Sequence, residues 1–116
     1  MIKLKRAYES ASPGDGLRIL VERLWPRGVS KQKAKIDLWV KEFAPSTALR
    51  EWYGHDPARW PQFRKRYEAE LKDQGDAVML LKYLADTRPV TFVYATSDEE
   101  RNSALVLKEF LERRKT

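Results

Sequence analysis

The chain contains no cysteine, which excludes disulfides, thiolate nucleophiles and cysteine zinc sites. It holds one histidine, His55, and its carboxylates are scattered, so the ligand spacing of a transition-metal site is missing and no metal is expected. No apolar run approaches the roughly 18 residues of a membrane span, and Met1 to Tyr8 alternates charge with apolarity, unlike a signal peptide. The GxSxG elbow, the P-loop and the dinucleotide glycine fingerprint are also missing, which leaves common nucleophilic and nucleotide chemistries without a motif. These absences lead us to expect a soluble cytoplasmic protein with no cofactor and no membrane partner.

What is present is enough for a core. The 116 residues are 42% hydrophobic and 11% aromatic, which predicts a single α/β domain over 1–116 that buries about two-thirds of its unfolded surface. Net charge is +6, and its distribution is uneven. Residues 1–35 hold nine basic side chains against three acidic ones, while the remainder carries fourteen of each. The whole excess therefore lies in the first third, as expected for a protein that meets an anionic partner, whether a small ligand or nucleic acid.

Hydrophobic spacing predicts a small layered domain with a short, mostly parallel sheet of about three strands and four to five helices. Ile2 and Leu4 alternate with lysines, as on a protected edge strand. Ser12 to Gly16 reads as a turn. A central strand is expected over about Leu17–Leu24, because its apolar residues occupy both faces. Ser30 is placed to cap a helix carrying Ile36, Trp39, Val40 and Phe43 on one stripe. A short helix near Thr47–Tyr53 should end at Gly54, with Asp56 capping the next one at Pro57. Trp60, Phe63, Tyr67 and Leu71 form the following stripe, and Ala77, Leu80, Leu81 and Leu84 another. Val90–Ala95 reads as a second central strand, and Ser97 with Glu100 as the capping box of a last helix that turns Ala104, Leu107 and Leu111 inward. The basic tail Arg113, Arg114, Lys115 suits that helix's end.

Two central parallel strands would bring the loops that follow them, Trp25 to Gly28 and Thr96 to Glu100, to one edge, where open α/β sheets bind ligands. On this geometry Arg23, Trp25, Arg27, Thr96, Ser97 and Asn102 are the candidate ligand-binding residues, with Arg18, Tyr94 and Asp56 secondary. Arg23 follows Ile19 and Val21 on one strand face and needs a partner, either Asp98 or Glu99 or a bound anion. Arg27, between Pro26 and Gly28 in a stiff loop built for close approach, offers a fork to phosphate or carboxylate. Asn102 is expected one turn into the helix, bonding ligand or loop. His55 is the candidate proton carrier, although Asp56 beside it is already explained as a cap. Trp39 and Trp60 fall on helical stripes and are expected in the core. The alternatives to an anion-binding cleft are a nucleic-acid-binding module that uses the basic first third and its interleaved tryptophans, and a protein-interaction domain.

The segment Asp15, Gly16, Leu17, Arg18 through Val21, Glu22, Arg23, Leu24, Trp25, Pro26, Arg27, Gly28 resembles the hallmark of the YeaO-like proteins, a domain-of-unknown-function group. Further motifs follow in order: Ala44, Pro45, Ser46, Thr47 with Leu49 and Arg50; Gly54, His55, Asp56, Pro57; and Tyr94, Ala95 with Asn102, Ala104, Val106 and Leu107. The resemblance implies a small bacterial α/β domain and brings no activity with it. Two positions depart from the group's pattern. Glu22 stands where aspartate is usual, and Arg101 stands where many members have histidine, which leaves one imidazole fewer.

Overall fold

Four short apolar segments pair side by side in the computed structural model, which describes residues 2–113. They are β1 (Ile2–Arg6), β2 (Leu17–Leu20), β3 (Leu38–Trp39) and β4 (Val90–Tyr94), all parallel and ordered β1-β4-β2-β3. β4 is buried along its whole length, as a strand with neighbours on both sides and packing on both faces must be. β1 lies at an edge as expected, and its lysines have a further role. The Lys3 ammonium donates to the Gly14 carbonyl at 2.9 Å and Lys5 pairs with Asp15 at 3.1 Å, so both fasten the turn that leads into β2.

The helices are α1 (Lys31–Ala34), α2 (Thr47–Tyr53), α3 (Trp60–Lys72), α4 (Gly75–Thr87) and α5 (Ser103–Arg113). The main core lies on one face of the sheet, where Ile19, Val90 and Phe92 meet Phe63, Tyr67, Val78, Leu107 and Leu111 from α3, α4 and α5. Each such side chain contributes about 1.5–3 kcal/mol on burial. The second face carries a smaller cluster in which Leu20 and Val93 are covered by Trp25, Val29 and Ile36.

The stripe Ile36, Trp39, Val40, Phe43 is not a helix. α1 stops at Ala34, Lys35 adopts a left-handed conformation with φ 48°, and Leu38–Trp39 forms edge strand β3. The chain rounds the sheet edge here, which sends Ile36 to the second face and Val40 and Phe43 to the first. Trp39, expected in the core, is 37% exposed. β2 is also shorter than expected, ending at Leu20, although the Val21 amide still donates to the Val93 carbonyl at 3.1 Å. α4 buries Val78, Leu81 and Ala85, not Ala77 and Leu80, and leaves Leu80 and Tyr83 in solvent. The last helix starts at Ser103, so Ser97 and Glu100 form no capping box for it. Arg113 closes α5, and Arg114 and Lys115 lie outside the described residues.

Candidate functional site

β2 and β4 are adjacent and parallel, and the segments that leave them are tied together at once. Glu22 Oε2 accepts the Ala95 amide at 3.0 Å. Burial raises the Glu22 pKa against the lowering effects of the Ala95 amide and the Arg50 guanidinium. Beside this carboxyl, at the carboxyl edge of the sheet, opens a cleft of about 420 Å3. Its walls are Glu22, Pro45, Arg50, Glu51 and Tyr53 on one side, Ala95, Thr96, Arg101, Asn102 and Ser103 on the other, with His55, Trp60 and Phe63 completing it.

Each wall is locally determined. Ser46 caps α2 by accepting the Leu49 amide at 3.2 Å, and Glu70 of α3 receives both the Ser46 amide and its hydroxyl, at 2.9 and 2.6 Å. α2 is thereby held firmly, and Arg50 projects from it with a guanidinium that bonds to no other described side chain. Gly54 and His55 both take left-handed conformations, φ 53° and 57°, which end α2 and bring His55 to the rim. On the other wall, Asp98 Oδ1 accepts the amides of Glu100 and Arg101 at 3.0 and 2.9 Å. These bonds, with the Arg101 guanidinium at 3.1 Å, hold the Asp98 carboxyl below its usual range. Asn102 is the residue that caps α5: its Oδ1 accepts the Leu105 amide at 2.8 Å while its Nδ2 donates to the Asp98 carbonyl at 3.1 Å. Tyr53, Trp60 and Phe63 form an aromatic wall with centroids 4.7–5.7 Å apart. Burial, then the Asp98 carboxylate, raises the Tyr53 phenol.

Of the residues the sequence singles out, the cleft gathers Thr96, Asn102 and His55. The others lie elsewhere. Arg23 donates from Nε to the Pro45 carbonyl at 3.0 Å and from Nη2 to the Ala44 carbonyl at 3.2 Å, in place of Asp98 or Glu99. Trp25 donates to the Val29 carbonyl at 2.7 Å and packs edge-on against Trp39 over the second face. Arg27 and Ser97 are exposed outside the lining. Gly28 has φ 75° with open space where a Cβ would sit, so it serves a turn and not a close approach. Arg18 is buried against Asp15 at 2.6 Å and the Ala34 carbonyl at 2.9 Å, and Tyr94 is buried within the core. Asp56 accepts the Ala58 amide at 3.1 Å as a cap.

Glu22, Arg50, Arg101 and Tyr53 are cleft residues that sequence spacing did not single out. The signal lay in the family motifs, since Arg50 belongs to one and Glu22 and Arg101 are the two departures. The basic first third is largely engaged by the fold. Lys3, Lys5, Arg6, Arg18 and Arg23 all bond to carbonyls or to Asp15, leaving Arg27, Lys31, Lys33 and Lys35 exposed. Among the described residues no three histidines or acids cluster as a metal site requires, and no helix is long and apolar enough to cross a membrane.

The family model described as the inactive DUF488-N3 subclade matches residues 1–116. The chain is 42% identical over 110 residues to the uncharacterized protein Rv3073c of Mycobacterium tuberculosis, an alignment that spans 95% of this chain and 92% of the relative. It is 40% identical over 110 residues to the uncharacterized protein YeaO of Escherichia coli K12, spanning 95% and 96%. No solved structure matches the chain.

Proposed function

The chain is a YeaO-like protein of the inactive DUF488-N3 subclade, and from that premise we propose that it binds a small acidic or phosphorylated ligand in the cleft at the carboxyl ends of β2 and β4. The observation that carries this reading is the convergence of Arg50 and Arg101 on one cleft, with Arg50 bonded to no described side chain. Arg101 gives its Nε to Asp98 and keeps its terminal nitrogens for another acceptor. Thr96 and Asn102 add polar contacts, and the first turn of α5 contributes the positive end of its dipole. A charge-assisted hydrogen bond from each guanidinium is worth about 1.5–3 kcal/mol. The description of the subclade as inactive favours binding over turnover.

Thermal unfolding in the presence of inorganic phosphate, phosphorylated metabolites and carboxylates tests this. A ligand at about 100 times its Kd stabilises by about 2.7 kcal/mol, a shift of several degrees. Arg50→Ala and Arg101→Ala should abolish the shift, while Arg27→Ala, outside the cleft, should keep it. If no anion stabilises the wild-type chain, the reading fails.

A further inference from the structure

The cleft is larger and chemically more varied than a bare anion needs. Its volume of about 420 Å3 falls among pockets that enclose whole small molecules, and phosphate alone would leave most of it empty. Two features lie beyond the arginines. The first is the aromatic wall, where Trp60 and Phe63 stack with ring planes 20° apart and Tyr53 leans on both, while Tyr53 and Trp60 remain half-buried. Such a wall receives a planar ring, because every heterocycle offers a π-face. The second is Glu22. Its Oε2 takes the Ala95 amide, and among the described residues no donor reaches its other oxygen, although the residue sits at the sheet edge within the cleft. A partly buried carboxylate with an unused oxygen selects a ligand that presents N–H donors.

Resting on the anion-binding reading of the same cleft, we infer that the ligand is a nucleoside monophosphate with a guanine-type base: the base lies against Tyr53 and Trp60 and gives its N–H edge to Glu22, and the phosphate meets Arg50 and Arg101. Guanine carries two adjacent N–H groups on its pairing edge. Adenine places an acceptor beside its amino group there, which would face the carboxylate unpaired.

Titration of the full chain with GMP, AMP, guanosine and inorganic phosphate, followed by calorimetry, tests the inference. GMP should bind at least tenfold more tightly than AMP and at least tenfold more tightly than phosphate. Glu22→Gln should remove the preference for GMP over AMP without weakening phosphate, because the charge it deletes lies beside Arg50 and opposes an anion there. Trp60→Leu should weaken both nucleotides roughly ten- to a hundredfold without affecting phosphate. Equal affinity for GMP and phosphate, or for GMP and AMP in the wild-type chain, overturns the ligand class and leaves anion binding standing. Binding of none of the four overturns the ligand class, and if no carboxylate stabilises the chain either, the anion-binding reading falls with it.

Discussion

The carboxyl of Glu22 accepts the Ala95 amide at 3.0 Å, joining the segment that leaves β2 to the first residue beyond β4. Both residues line the cleft, and the bond keeps an acid in a place that disfavours its charge. Burial raises the Glu22 pKa, with the Ala95 amide and Arg50 in opposition. A carboxyl raised on folding stabilises the native state fully below its unfolded pKa, and that contribution is lost as pH rises through the folded value. Glu22→Gln should therefore match the wild type near pH 4 and become progressively more stable than it toward pH 7. Urea unfolding across this range measures the difference, and a gap that ignores pH would contradict the assignment.

Asp15 behaves in the opposite sense. Burial opposes its ionisation, but the Ser12 amide and hydroxyl, the Lys5 ammonium and the Arg18 guanidinium together hold its carboxyl well below the usual range. Its contribution is present above the unfolded pKa, about 3.9, and lost as pH falls below it. Arg18 is 3% exposed, and its Nη2 has no partner among the described residues. Removing the carboxylate strands a buried cation. Asp15→Asn should cost about 3 kcal/mol at neutral pH and lessen the acid sensitivity of unfolding, both read from denaturation curves at pH 3 to 7.

How far the fold was legible follows from these neighbourhoods. Strands whose apolar residues fill both faces, as in Leu17–Leu20 and Val90–Tyr94, announce a central parallel pair, and Gly54 marks the end of the short helix α2. Legibility ends where the chain changes sides. Ile36 and Phe43 fit one helical stripe by spacing, yet they pack on opposite faces of the sheet because Lys35 and β3 carry the chain around its edge. The parallel pair points to the carboxyl edge of the sheet, but of the two loops expected to meet there only the one after β4 lines the cleft, while Trp25 packs over the second face and Arg27 lies outside the lining. Arg50 arrives from α2 and Tyr53 from the same helix's end, and only the packing of α2 on α3 through Ser46 and Glu70 brings them to the edge.

Two glycines with positive φ should respond differently to alanine. At Gly16, with φ 65°, an added Cβ would lie 2.2 Å from the Pro89 carbonyl oxygen, the same oxygen that accepts the Leu17 amide at 3.0 Å. Relieving that overlap separates the start of β2 from β4, so Gly16→Ala should cost at least about 3 kcal/mol. At Gly28 nothing lies within 4 Å of the added atom, leaving only the left-handed strain of about 1–2 kcal/mol. Thermal denaturation of the two variants compares the costs directly, and equal destabilisation would contradict the close approach at Pro89.

Arg23 and Arg27 separate a cation that positions the cleft from one that faces solvent. The Arg23 fork binds the Ala44 and Pro45 carbonyls, and Pro45 both lines the cleft and precedes the cap of α2. Losing the fork should release the start of α2 and with it the direction of Arg50. Arg23→Ala is expected to cost about 2 kcal/mol and to weaken phosphate binding, although Arg23 does not itself reach the cleft. Arg23→Lys cannot satisfy two carbonyls with one fixed plane and should restore only part of either loss. Arg27→Ala should change stability by less than about 0.5 kcal/mol and leave binding intact, as for an exposed side chain that bonds to none of the described residues. Calorimetric titration with phosphate alongside urea unfolding distinguishes these outcomes. Weaker binding in Arg27→Ala than in Arg23→Ala would move the anion from the cleft to the Trp25–Gly28 turn.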